Sequence, residues 1–163
     1  MSLLNYCCGL LLIALATPVQ AQSITTADTA TNIQQTDNVY QIGGGDFSGD
    51  SSTLFHSFEQ FGLLTQETAL FDNPATVENI IGRVVGGDVS VIDGLLSVEG
   101  TASLYLVNPA GVIFGNNARL NLAGSFSAST ATGLLFGNDQ LDTLGTNDFT
   151  GLNGAPTGYL FSN

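Results

Sequence analysis

NPAGVIFG, running from Asn108 through Pro109, Ala110, Gly111, Val112, Ile113 and Phe114 to Gly115, stands between two alternating runs. These are Ala102-Ser103-Leu104-Tyr105-Leu106-Val107 and Ala118-Arg119-Leu120-Asn121-Leu122. The first four residues fit a type I β-turn: Asn108 opens it, Pro109 brings a preset φ and Gly111 closes it. Ala110 at the third position argues against type II, which wants Gly or Asn there. The flanking runs have period 2, so Leu104 and Leu106 share one face, and Leu120 and Leu122 share one face of the next strand. The unit reads as strand, tight corner, short apolar strand, Gly115-Asn116-Asn117 corner, strand.

The same punctuation runs outward in both directions. Val77 to Val85 leads into Gly86-Gly87, Val89 and Val91 alternate, and Asp93-Gly94 turns. Leu96 and Val98 alternate, Glu99-Gly100 turns again, and Ala123-Gly124 leads into Ser125 to Ala131. No long amphipathic helix interrupts this ladder. A β-sandwich spaces its strands roughly 8–12 residues apart with longer connections. Shorter strands, closer corners and recurring apolar pairs instead suit coils stacked on one another, as in a parallel β-helix. The expected fold class is all-β, a single-stranded parallel β-helix.

Upstream the pattern is less regular. Ser23 to Asn38 is Thr-rich and reads as a short capping strand or an extended arm. Val39 to Ile42 is a short strand candidate, ended by Gly43-Gly44-Gly45-Asp46-Phe47-Ser48-Gly49-Asp50. That cluster resembles half of a calcium-binding nonapeptide repeat, but one copy lacks the stacked neighbours that supply the other ligands. It is expected to be a flexible loop. In Leu54 to Phe61, Phe55 and Phe58 fall at helical spacing, while Phe58 and Phe61 also suit an irregular cap over a core. His56 is the only histidine of the chain, so it cannot anchor an ordinary zinc site, and it reads as a structural or surface histidine.

Charge and export narrow the function. Fourteen Asp and Glu face two arginines, Arg83 and Arg119, with no lysine, for a net charge of −12. Nucleic acid is a poor partner, because counterion release needs clustered cations. Leu3 to Ala16 is almost wholly apolar, Pro18 follows, and Val19-Gln20-Ala21 offers small residues at a cleavage site. The apolar run is too short for a membrane span. Residues 1–21 are therefore expected to be a signal peptide and 22–163 the mature domain. Both cysteines, Cys7 and Cys8, fall inside the leader, so no disulfide or thiolate site is expected in the mature chain. Neither a metal nor a cofactor is expected.

Four pieces in order, LFHSFEQF (54–61), IIGRVVGGDVSVIDG (80–94), LYLVNPAGVIFG (104–115) and NARLNLAGSFSASTA (117–131), resemble a known family. It is the N-terminal haemagglutination-activity or two-partner secretion domain of filamentous haemagglutinin-like exoproteins, most similar to those of cyanobacterial large exoproteins. The resemblance implies a right-handed parallel β-helix with an N-terminal β cap. It also implies delivery by the Sec machinery and recognition, while unfolded or partly folded, by the periplasmic domains of an outer-membrane Omp85-type transporter. The product would be secreted or held at the cell surface, with any cell-surface or glycan contacts made by a downstream passenger. The family's secretion motif maps onto Asn108 to Gly115, where Ala110 replaces the usual second Asn. Its second motif, Asn-Pro-Asn-Leu, is replaced by Asn79-Ile80-Ile81-Gly82, followed by Arg83. The motif residues either shape a turn or are recognised directly.

The alternative is a polysaccharide-binding or polysaccharide-degrading β-helix with Asp88, Asp93 and Glu99 along one outer face. Two arginines and no lysine are a poor supply of bases for a lyase, and fold analogy does not license activity. The chain is expected not to be an enzyme.

Overall fold

A computed structural model describes residues 23–162; the expected signal peptide lies outside them. In chain order the strands are β1 Thr25–Thr26, β2 Thr31–Thr36, β3 Val39–Gly44, β4 Asp46–Phe47, β5 Thr53–Gln60, β6 Thr68–Phe71, β7 Asn79–Val84, β8 Ser90–Ile92, β9 Leu95–Val98 and β10 Ser103–Val107. They continue as β11 Val112–Phe114, β12 Arg119–Asn121, β13 Phe126–Ser129, β14 Gly133–Phe136, β15 Asp139–Asp142 and β16 Gly158–Leu160. A 3-10 turn, Phe149–Gly151, precedes β16.

The parallel β-helix expected from the sequence is present, with about three turns. One wall stacks β5, β7, β10 and β13 in parallel, so that Leu54, Ile80, Leu104 and Phe126 lie in one inward column. Successive rungs are 26, 24 and 22 residues apart. The coil thus tightens along the stack, and no fixed repeat length marks it in the sequence. A second wall pairs β8 with β11, joined by a single bridge from Leu63 to Ile92. The third stacks β3, β6, β9 and β12, with Tyr40, Ala69, Leu96 and Leu120 in one column. Fully burying each Leu, Ile or Phe of these columns is worth about 1.5–3 kcal/mol, and the columns merge into one core.

Residues 23–47 close one end, which makes the capping strand the right one of the two expectations for this arm. β2 runs antiparallel to β3, and β1 and β4 run antiparallel to β5, so β5 meets neighbours on both edges. The flexible loop expected at 43–50 is instead structured. Gly43 and Gly44 finish β3, Asp46 and Phe47 form β4, and the Asp50 carboxylate accepts hydrogen bonds from Ser48 Oγ and from the Ser52 amide and hydroxyl.

Two further expectations change. Leu54 to Gln60 of LFHSFEQF lie in strand β5 and not in a helix, and Phe61 follows the strand and packs in the core. Leu54, His56 and Phe58 point into the coil while Phe55 and Ser57 point out, and all five are buried. Burial on both faces removes the alternation by which a strand is usually read. In the second coil Ser90 and Ile92, not Val89 and Val91, turn inward; Ser90 and Ile92 are buried and Val91 is exposed. A serine facing the core is tolerated there because its hydroxyl has a partner, described below.

After β13 the chain leaves the stack. β14 pairs antiparallel with both β15 and β16, and this sheet lies against the outer face of the first wall. Phe55, Ile81 and Val107, which point out of three successive rungs, form a second core with Leu134, Phe136, Leu141 and Leu152. The strand-like residues near the C-terminal end therefore build a flanking sheet rather than another coil.

Candidate functional site

The NPAG corner connects the first wall to the second in the third coil. Its turn closes with the Gly111 amide donating to the Asn108 carbonyl at 3.0 Å, the bond a type I turn requires. Gly111 holds φ at +128°, which a side chain disfavours. Asn108 is almost completely buried, and its amide group is fully used. Oδ1 accepts the Ala110 N–H at 2.9 Å, while Nδ2 donates to the Asp88 carbonyl at 2.8 Å and to Ser90 Oγ at 2.9 Å. Its own backbone N–H donates to Ser129 of the fourth rung at 2.9 Å. One asparagine thus shapes the corner and ties it to the coils on both sides.

From there the motif turns outward. Pro109 is half-buried and Ala110 exposed, so a larger side chain at position 110 would stand in open surface. Val112 packs partly on the core, whereas Ile113 stacks on Val91 and is 54% exposed. Phe114 lies over Ile92 in the inward column yet remains 45% exposed, since no rung covers it. It meets Phe126 edge-on at 6.0 Å. Gly115 is required by crowding: a Cβ there would lie 2.2 Å from Asp93 Oδ1. That carboxylate accepts the Asn117 amide at 2.9 Å and also binds Asn117 Nδ2 and the Thr65 hydroxyl. These bonds hold the Asp93 carboxyl below its usual range, the Thr65 bond most strongly.

The second stretch, Asn79 to Arg83, coincides with most of β7. Asn79, Ile80, Ile81 and Gly82 are buried, and only Arg83 is partly accessible. The two stretches are not one site: register sets Asn79 beside Ser103, at the far end of β10 from Asn108. Arg83 serves the flanking sheet instead. Nη1 donates to the carbonyls of Asp142, Thr143 and Gly145 at 3.3, 3.3 and 2.6 Å, and Nε to Ser57 Oγ at 3.0 Å. The guanidinium carbon lies 5.7 Å from the Phe149 ring centroid. The Asn147 side chain braces the same loop by donating to the Asp142 and Gly145 carbonyls. This latch was not legible in the sequence, because its acceptors are backbone atoms some sixty residues away.

Asp88, Asp93 and Glu99 do not form a row. They sit before β8, between β8 and β9, and after β9, at three successive corners of the second coil. Among the described residues, no three His, Cys, Asp or Glu side chains converge as ligands of a metal would. A groove of about 790 Å³ opens at the capped end and is lined by Thr25, Thr29, Asn32, Ile33 and Gln35 among others. Tyr40 also lines it, and its hydroxyl donates to Glu67 Oε1 at 3.4 Å.

Residues 19–153 match the family described as TPS secretion domain. Two curated relatives are both heme/hemopexin-binding proteins of Haemophilus influenzae. One is 35% identical over 75 residues, covering 46% of this chain and 8% of the relative; the other is 34% identical over 67 residues, covering 41% and 7%. The chain spans less than a tenth of the length of these relatives. With most of its length matched, the protein belongs to the TPS secretion domain family and is a secretion-targeting domain of the two-partner secretion type.

Proposed function

We propose that residues 1–21 are a signal peptide for Sec-dependent export and that 22–163 form the secretion domain. In this reading an Omp85-type outer-membrane transporter binds the domain through its periplasmic domains before the coils have formed, reading Asn108 to Gly115 and, second to it, Asn79 to Arg83. The observation that carries this reading is the burial of the motif's polar groups. Asn108 has every side-chain hydrogen-bonding group committed, and Asn79 is buried within β7. Buried, committed groups offer nothing to a partner, so a partner that reads them must meet the chain unfolded. Folding outside the cell then buries the columns of the coil and opposes return through the pore.

The test is secretion of the full exoprotein with and without its transporter, comparing Ile113→Ser, Asn108→Asp and Ala110→Asn. Ile113 is exposed once folded, so its replacement costs little stability. A fall in secretion of about tenfold for Ile113→Ser, with the folded domain's unfolding midpoint unchanged, supports direct recognition. Secretion that tracks stability across all three variants would reduce the motif to a turn former. Secretion that does not depend on the transporter would end the reading.

A further inference from the structure

His56 lies inside the first coil, fully buried, and neither ring nitrogen reaches a hydrogen-bond partner among the described residues. Its ring stands 6.1 Å from that of Phe58 and 5.8 Å from that of Phe71, and across the rung it faces Gly82, which has no side chain to offer. The cap closes over it. A Cβ on Gly45 would lie 3.0 Å from the imidazole Cε1, the Ala27 amide donates to the Ser57 carbonyl, and the Ser57 amide donates to Thr31 Oγ1. A neutral imidazole normally has one donor and one acceptor to satisfy, and both go unmet here.

We propose that His56 is an acid-operated release for the N-terminal cap: protonation of the buried ring opens the junction between residues 27–31 and β5 while the later coils stay closed. An imidazolium carries two N–H donors and a charge, and the first coil supplies no acceptor for either. The one carboxylate that acts on it is Asp28, whose Oδ1 already accepts the Ala30 and Thr31 amides at 3.1 and 2.8 Å. The charged groups of the other packed strands face away. Asp46 on β4 pairs with Phe55 and shares its outward face; Arg83 on β7 turns out to the flanking sheet; Glu59 on β5 and Asp72 after β6 are exposed. β3 and β10 bear no charged residue. A charged ring can be hydrated only if the cap lifts.

Burial pushes the His56 pKa from 6.5 down to about 4, with Asp28 acting weakly the other way. The unfolded chain therefore binds the proton before the folded one. The stabilising effect of the neutral ring is complete above pH 6.5 and is lost as the pH falls toward 4. The full interval corresponds to a change on the order of 10²-fold in the opening equilibrium. This inference concerns the folded domain and does not depend on how the transporter recognises the chain.

The experiment follows the ring and the cap together. Because His56 is the only histidine, the proton resonance of its ring carbon can be titrated in the untagged protein without assignment. The expected result is a ring that stays neutral to below pH 5, and amide exchange at Ala27, Thr31 and Ser57 that accelerates by about tenfold or more between pH 7 and 5, after correction for intrinsic rates. Amides of β10 should keep their protection. In His56→Leu the acceleration should vanish. Asp28→Asn should lower the ring's titration midpoint further. A ring titrating near 6.5 in the folded protein, or cap exchange with the same pH dependence in His56→Leu, would overturn the proposal. If His56→Leu does not fold, the titration and the Asp28→Asn arm decide alone.

Discussion

Asn108 shows how much of a corner one side chain can carry. Removing it leaves the Ala110 amide without its acceptor and takes a donor from both Ser90 Oγ and the Asp88 carbonyl. Each net bond is worth about 0.5–1.5 kcal/mol, and a buried group left unpaired costs about 1–3 kcal/mol. Asn108→Ala is therefore expected to lose about 3 kcal/mol in urea unfolding monitored by circular dichroism. Asn108→Asp should lose at least as much above pH 5, since it sets a carboxylate against the Asp88 carbonyl. Gly111→Ala tests the corner's backbone alone. The added Cβ finds ordinary contacts 3.5 Å away on Val89, so any loss, expected at about 1–3 kcal/mol, comes from φ and not from crowding.

Among the elements, the flanking sheet differs from the coils in what holds it. The middle rungs have neighbours above and below, whereas β14 to β16 depend on one apolar face and on the Arg83 latch. Arg83→Lys keeps the charge but cannot reach three carbonyls and Ser57 from one planar group. The loop from Asp142 to Phe149 is then expected to open at least tenfold more often, with about 1.4 kcal/mol corresponding to each tenfold. Limited proteolysis under fast reclosing reads that population, and cleavage between residues 142 and 149 should accelerate while the coil resists. Equal cleavage rates for Arg83→Lys and wild type would show that the Phe55, Ile81 and Val107 contacts suffice.

For the whole molecule, the two ends of the stack are unlike. The capped end is covered by antiparallel strands. The other presents Phe114 and Leu120 at about half exposure, with Phe126, Val112 and Leu122 partly covered and the last rungs' edges open. Open strand edges beside apolar side chains favour self-association. A net charge of −12 opposes it, and salt weakens that opposition. The isolated domain is thus expected to associate more strongly at 0.5 M than at 0.05 M salt in sedimentation velocity. The double variant Phe114→Lys, Leu120→Lys should remain monomeric in both.

Much of this was written in the local sequence. The Asn-Pro corner, the Gly-Asn and Asp-Gly turns, and the inward pairs Leu104/Leu106 and Leu96/Val98 follow from turn chemistry and a period of two, which act within a few residues. From them the sequence alone determined a stack of short strands. What it could not determine is which faces are covered, because that depends on chain distant in sequence. Leu120 and Leu122 have the same local pattern as Leu104 and Leu106, yet Leu120 is 50% exposed, for want of a rung above it. Phe55 and Phe58 looked helical because both faces of β5 are buried, one by the coil and the other by a sheet some eighty residues later. Only the tertiary structure decided that Asn108 is locked to Ser90, that Arg83 holds the 142–145 carbonyls and that His56 sits without a partner beneath the cap. Each is a contact between coils, with the flanking sheet or with the cap, and no short-range pattern encodes it.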